Sequence, residues 1–172
     1  HISPVTARLM RNRDLTTIEE MQRYLYGSLS DLYDPHLLKD ADKGAEIIKE
    51  KIEAGKKIRI ISDYDVDGVS SNYILYQGLK RCGADVDYKI PDRVEDGYGI
   101  NEHLIEQTAE DGIDTIITCD NGIAASAQIA YGNSLGLTIV VTDHHDIPFQ
   151  KENDEITYLL PPAAAVINPK QK

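Results

Sequence analysis

The chain is poor in the residues that most quickly narrow a function. Its two cysteines, Cys82 and Cys119, are too few for a zinc cluster and give no disulfide framework; both read as small buried side chains in a reducing compartment. No stretch approaches the ~20 apolar residues of a membrane span, and no signal-peptide pattern opens the chain, so a cytoplasmic protein without a membrane partner is expected. Cations are also scarce. Eighteen Lys and Arg face 29 Asp and Glu, a formal net charge of −11. That balance ordinarily argues against nucleic acid. Any polyanion would have to be held by metal, by helix N-termini and a few local cations, or by a basic surface on a further segment.

What remains is ordinary in bulk: 172 residues, 41% hydrophobic and 27% charged, enough for one well-cored domain with a small appendage. The unusual stretch is Asp63-Tyr64-Asp65-Val66-Asp67-Gly68. It follows Lys57-Ile58-Arg59-Ile60-Ile61-Ser62, which reads as a buried strand. In an extended segment side chains alternate, so the three aspartates tend to project to one side. Carboxylates that close repel one another unless a cation or protonation relieves the charge. Two readings stand: a divalent-cation site, or an acidic loop solvated after a strand. The same letters open an EF-hand loop, but its twelfth position, a bidentate Glu, is here Ile74, and a strand rather than a helix precedes it. Calcium-loop chemistry is excluded.

Residues 1 to about 14 are polar and basic, with Arg8, Arg11 and Arg13, and suggest a mobile or extended lead-in. Thr17-Ile18-Glu19-Glu20 fits a capping box for a helix to about Gly27, and residues 29–39 read as a turn-rich connection. A second helix, about 43–54, places Ala45, Ile48 and Ile52 on one face. The expected division is an N-terminal segment, 1–55, packed on an α/β domain, 56–172. Within the latter, a helix over 70–81 turns Ile74, Leu75 and Leu79 inward, and the half-apolar 85–90 is an edge strand. A helix from 102 to 110, a strand at 114–119, a helix at 124–135 and a strand at 137–142 follow. The stretch 146–162 reads as a loop, and 163–167 as the fifth strand. The fold class is therefore α/β: a mostly parallel, five-stranded Rossmann-like sheet with helices on both faces.

Ligands bind such sheets outside the carboxyl ends of the strands. The first strand ends in Asp63, Asp65 and Asp67, the third in Asp120-Asn121-Gly122, the fourth in Asp143-His144-His145-Asp146. Helix capping explains Asp120 taken singly. It does not explain a triple carboxylate and a histidine pair delivered to one edge. Mixed carboxylate and imidazole donors suit Mn²⁺, with Mg²⁺ or Zn²⁺ as competitors, and the number of donors allows two ions. Hydrolysis of a phosphoryl bond is the natural chemistry. Helix N-termini after Gly68 and Gly122 would favour a phosphate there. In the loop Pro91-Asp92-Arg93-Val94-Glu95-Asp96-Gly97-Tyr98-Gly99, Arg93 offers a phosphate clamp, and Gly97 and Gly99 a close backbone approach; an ordinary glycine turn over Tyr98 is the alternative. His36 and His103 lie away from the strand ends and read as surface or capping residues.

These four motifs, in this order and with Ile167-Asn168-Pro169 closing, resemble the DHH phosphoesterase superfamily, and within it the single-strand-specific DNA exonucleases. The resemblance runs from about Leu9 to Pro169. It implies a Mn²⁺- or Mg²⁺-dependent enzyme, with one or two ions, that degrades single-stranded DNA from its 5′ end in repair and recombination. Carried over by motif, the catalytic set is Asp63, Asp65, Asp67, Asp120, His144 and His145. Of these, Asp65, Asp67, Asp120 and His144 are the implied metal ligands, and Asp143 orients the histidines. Arg93, Gly97, Tyr98, Gly99 and Asn121 are the implied substrate contacts. The resemblance also implies a helicase and a single-strand-binding protein as partners. Family members continue to a further aspartate ligand, a second substrate-gripping domain and an OB-type module. These 172 residues are thus expected to be an N-terminal fragment with weak metal binding and little activity alone. Two alternatives stay open: a phosphodiesterase for short oligonucleotides or cyclic dinucleotides, and a non-catalytic scaffold.

Overall fold

The computed structural model describes residues 2–171 apart from Glu95 and Asp154. These residues fall into two compact units, one up to Pro35 and one from His36 onward. The first holds two helices, α1 (Pro4–Arg11) and α2 (Ile18–Tyr26), and a 3₁₀ turn at Leu29–Asp31. The expected extended lead-in is thus corrected to a helix. Its start is local chemistry: Ser3 accepts from the Thr6 N–H as N-cap, and Pro4 brings a preset φ to the first turn. The α2 capping box is as expected, Thr17 and Glu20 each meeting the other's backbone N–H.

The second unit opens with α3 (Ala41–Glu53), which lies before the boundary expected at residue 55 and belongs with the sheet. There follow β1 (Ile58–Ser62), α4 (Val66–Arg81), β2 (Val86–Lys89), α5 (Glu102–Glu110), β3 (Thr115–Cys119), α6 (Ser126–Ser134) and β4 (Thr138–Thr142). The chain then forms a hairpin, β5 (Phe149–Glu152) with β6 (Glu155–Tyr158), and returns to the sheet as β7 (Ala165–Ile167). The hairpin corrects the expected loop over 146–162. Its cross-strand pairs, Phe149 with Tyr158 and Lys151 with Ile156, give it one amphipathic face, a pattern too short and too charged to stand out in sequence.

The main sheet is five-stranded in the order β2-β1-β3-β4-β7, and every pairing is parallel. The α/β sheet class is as expected, with β2 at an edge. β1 and β3 are buried along their whole length, as strands covered on both faces are, with Arg59, Ser62, Thr115 and Thr118 buried among the isoleucines. One face packs Ile61, Ile116, Ile139 and Val141 against Leu104, Ile105 and Ile129 of α5 and α6. The other packs Ile58, Ile60, Val86 and Ile117 against Leu79, with Ile48, Ile52 and Leu75 around them.

Two inward positions are corrected. Ile74 is 72% exposed, one step out of phase with Leu75 and Leu79 on α4. On α3 it is Gly44 rather than Ala45 that is buried, because a Cβ there would stand 2.7 Å from Ile167 Cδ1. Cys82 is likewise exposed, at the end of α4, whereas Cys119 is buried as expected. Among the described residues no helix is long and apolar enough to cross a membrane.

Candidate metal centre

β1 stops at Ser62, and the chain does not stay extended through the acidic motif. Asp63 is buried, Asp65 is the N-cap of α4, accepting from the Gly68 N–H at 2.9 Å, and Asp67 lies in the first helical turn. The helix therefore begins at Val66, four residues before the expected Ser70, and Gly68 lies inside it. The aspartates converge through a strand end and a cap rather than through strand alternation. Similarly, α6 starts at Ser126, two residues after the expected Ala124.

At the end of β3, Asp120 takes a left-handed backbone conformation, φ 60°, which Asp tolerates better than most residues. Its N–H still donates to the Thr142 carbonyl, so the turn begins directly off the ladder. Its carboxylate, 5% exposed, lies with Oδ1 3.0 Å from His144 Nε2 and 4.0 Å from His145 Nδ1. His144 Nε2 is also 3.6 Å from Asp67 Oδ2. Two sets of donor atoms are close enough to share an ion: Asp63, Asp65 and Asp120, and Asp120, His144 and His145. Asp120 is common to both.

The electrostatics fit a cation. Burial, followed by the charges of Asp67 and Asp65, pushes the Asp120 carboxyl above the usual carboxylate range, with the two histidines opposing. Tyr98 is pushed up to about 12, first by burial and then by Asp63, Asp143, Asp120 and Asp65. Asp120 Oδ1 and Asp63 Oδ1 are buried and accept no hydrogen bond among the described residues. Buried carboxylate oxygens left so are costly unless something positive meets them. Carboxylates with imidazole are a donor set suited to Mn²⁺, and the carboxylate-rich half alone suits Mg²⁺.

Around this cluster the remaining predicted residues divide. Asp143 is buried and accepts through Oδ1 from the His144 and His145 N–H groups and from His145 Nδ1, the last at 2.7 Å; Oδ2 accepts from the Ile123 N–H. It holds the loop and the His145 ring. Tyr98 donates to the Asp120 carbonyl, and its hydroxyl lies 3.3 Å from His145 Nε2. Gly97 and Gly99, at φ 76° and 69°, shape the turn that brings Tyr98 there. Arg93 is exposed, its guanidinium 5.3 Å over the ring of Tyr64. Asn121 is buried, and among the described residues its side chain bonds to backbone, Nδ2 donating to the Ile61 and Cys119 carbonyls and Oδ1 accepting from the Ile100 N–H. Glu95, within the Pro91–Gly99 loop, lies outside the described residues. His36 pairs with Asp42, and His103 is an exposed residue on the first turn of α5, both away from the cluster.

Two residues escaped the sequence reading. Tyr64 joins Arg93 to Tyr98, meeting the latter edge-on at 6.4 Å. Asn168 is buried, its Nδ2 donating to the His145 carbonyl. The signals were present, an aromatic between two of the aspartates and an Asn-Pro after the last strand, but neither says which loop it will meet.

The chain is similar to known proteins in sequence and in fold. The profile of the DHH family, N-terminal domain, matches residues 57–172. The single-stranded-DNA-specific exonuclease RecJ of Bacillus subtilis (strain 168) is 38% identical over 171 residues, 99% of this chain and 21% of that protein. RecJ of Escherichia coli (strain K12) is 32% identical over 169 residues, 98% of this chain and 27% of its own length. The chain thus spans about a quarter or less of the curated relatives it matches most fully. A crystal structure of exonuclease RecJ bound to manganese superposes with a TM-score of 0.69 at 32% identity, covering 82% of this chain and 35% of that one. RecJ of Thermus thermophilus in complex with Mn²⁺ gives 0.64 at 25% identity, over 98% of this chain and 24% of that one.

Proposed function

The chain belongs to the DHH family, and on that premise we propose that it carries the metal centre of a single-strand-specific DNA exonuclease, one that hydrolyses phosphodiester bonds in the 5′ to 3′ direction in repair and recombination. The observation that carries the reading is Asp120: one buried carboxylate, its Oδ1 faced by His144 Nε2 at 3.0 Å without an aligned hydrogen bond, shared by two sets of candidate ligands. Asp65, Asp120 and His144, with Asp67, which belongs to neither set but stands 3.6 Å from His144 Nε2, would hold Mn²⁺ or Mg²⁺, as one ion or two, and Asp63 and His145, which do belong to the sets, complete the catalytic group. Bound there, the ion supplies Lewis acidity, activating water and neutralising charge that develops on phosphorus.

The protein's own part is placement. Asp143 holds His145 through Nδ1, leaving Nε2 directed at the Tyr98 hydroxyl. Arg93, fixed over Tyr64, is the cation available to a phosphate oxygen. Gly97, Tyr98 and Gly99 form the substrate-facing turn, and Asn121, after β3, acts on it through the Ile100 backbone that it braces. With a net charge of −11, the phosphate backbone is met by metal and by Arg93 rather than by a broad basic surface. The reading places the protein in the cytoplasm, with single-stranded DNA as its partner and, from family resemblance alone, a helicase and a single-strand-binding protein beside it.

The experiment is calorimetric Mn²⁺ titration of the chain and of Asp120→Asn, with cleavage of a 5′-labelled single strand and its duplex by the full-length protein with and without the same substitution. Loss of both Mn²⁺ binding and cleavage in the variant, with the fold retained by circular dichroism, is expected. Undiminished Mn²⁺ binding by Asp120→Asn would rule the centre out.

A further inference from the structure

Along the sheet edge that β2 forms, a run of tyrosines is left uncovered. Val69, Tyr73, Tyr76 and Lys80 recur at spacings of four, three and four, so they share one face of α4. On β2, Tyr88 lies on the same side of the sheet as the buried Val86 and meets Tyr76 edge to face, ring centroids 5.6 Å apart. A depression of about 280 Å³ lies between the helix and the strand. Tyr73 and Tyr88, both of which line it, are 66% and 52% exposed.

The depression also has a buried polar group. Asn72, 3% exposed, lines it; Nδ2 donates to Ser62 Oγ at 2.9 Å, and Oδ1 accepts no hydrogen bond among the described residues. A buried amide oxygen in that state is matched by an N–H group from a ligand. Ser62 immediately precedes Asp63, and Val69 follows Asp67 by two residues, so the depression adjoins the metal centre on its β2 side.

The charge here runs against that of the chain. Between Asp67 and Asp85 stand Lys80 and Arg81 and no carboxylate. Asp87, beside Tyr88, is bound through both oxygens to Arg59 and alternates to the opposite face. At the far end of the strip Lys80 Nζ is 5.5 Å from the Tyr76 ring centroid, and at the near end Arg93 Cζ is 5.3 Å from that of Tyr64. Rings interleaved with cations hold single-stranded nucleic acid without regard to sequence: the rings stack on bases and the cations meet phosphates.

We propose that this strip along α4 and β2 is a single-strand track. It holds the DNA that lies 3′ of the nucleotide at the metal centre, with bases on Tyr73 and Tyr88, a base edge at Asn72 and a phosphate at Lys80. From Asp67 to Lys80 the helix rises about 20 Å, at ~1.5 Å per residue, enough for several nucleotides. The proposal rests on the exonuclease reading above and adds to it the residues that hold the strand outside the centre. Stacking on these rings requires unpaired bases, so the track also favours a single strand over a duplex.

The test uses the full-length protein, its Tyr73→Ala/Tyr88→Ala double variant and Lys80→Gln. Two substrates are compared in Mn²⁺: a long oligothymidylate, and a 5′-phosphorylated thymidine dinucleotide too short to reach the track. In the double variant KM for the long strand is expected to rise about tenfold or more, with kcat, Mn²⁺ affinity and cleavage of the dinucleotide unchanged. In Lys80→Gln the salt dependence of long-strand binding, measured in chelator, should lose about 0.7 from its logarithmic slope, one single-strand phosphate contact. An unchanged KM for the long strand, or an equal loss on both substrates, would overturn the track while leaving the centre standing. A wild-type protein that cleaves neither substrate would overturn the exonuclease reading itself.

Discussion

A Cβ added to Gly68 would stand 2.4 Å from the carbonyl oxygen of Asp63 and 2.7 Å from its carbonyl carbon. The first turn of α4 is thus pressed against the backbone at the end of β1, and only glycine permits it. That approach is what lets Asp65, as N-cap, and Asp67, in the first turn, share space with Asp63. In Gly68→Ala the obstacle is backbone, so the helix start must move. Metal affinity is expected to fall about tenfold or more, and stability by about 1–3 kcal/mol, the usual cost of overpacking. Calorimetry with Mn²⁺ and a thermal melt in chelator read the two effects separately. Wild-type metal affinity in this variant would contradict the close-approach account.

The pair Asp143–His145 sets a pH dependence. The side-chain hydrogen bond from Nδ1, and then the charge of Asp143, raise the His145 pKa above its ordinary 6.5, against the opposing effect of burial. Linkage fixes the sign: a raised folded value contributes stability that is complete below the unfolded value and is lost as pH rises through the folded one. His145 is about half exposed, so solvent screens the pair and the contribution is small. In metal-free protein, proton resonance of the imidazole should report a midpoint above 6.5 for His145. Asp143→Asn should bring it down. An unmoved midpoint would mean that the carboxylate does not hold the ring.

What could be read in the sequence was what is local. The β1, β3 and β4 runs are short and rich in Ile and Val, and each ends in residues whose chemistry is plain on sight, so both the sheet and its reactive edge were legible. The same letters misled where two local readings competed. Asp65 serves as cap rather than as extended residue, and the acidic motif therefore lies partly on α4. Ser3-Pro4 is a helix start inside a stretch whose polar composition suggested none. Contacts between loops were not legible at all. Tyr64 against Arg93, and Asn168 against the His145 carbonyl, depend on loops from different strands meeting, which no period or spacing encodes.

Arg59 tests the opposite end of the sheet. It lies near the start of β1, 4% exposed, with its guanidinium bonded to both carboxylate oxygens of Asp87 on β2 and to Asp111 after α5, at 2.7–2.8 Å. Arg59→Met keeps the stem and removes the charge. The two aspartates are about half exposed and can rehydrate, so the loss is expected near ~2 kcal/mol, below the ~3–5 kcal/mol of a fully buried broken pair. The melting temperature should fall while Mn²⁺ affinity stays as it was. A parallel fall in Mn²⁺ affinity would show that the two ends of the sheet are coupled.

Asn121 is the buried counterpart at the reactive end. Its amide joins three elements: it donates to the carbonyls of Ile61 on β1 and Cys119 on β3, and accepts from Ile100 beyond the Tyr98 turn. Asn121→Ala leaves the Ile100 N–H without its acceptor in a buried setting and removes both donors, an expected cost of about 3 kcal/mol. Asn121→Asp separates shape from bonding. It keeps the size but turns an acceptor toward two carbonyl oxygens, so at neutral pH it should be no better than alanine. Because Asp120 precedes it in a left-handed turn, both variants should also weaken Mn²⁺ binding. Denaturant unfolding and calorimetry measure the two effects. An Asn121→Asp protein as stable as the wild type would show that the side chain is held by packing and not by the bonds it donates.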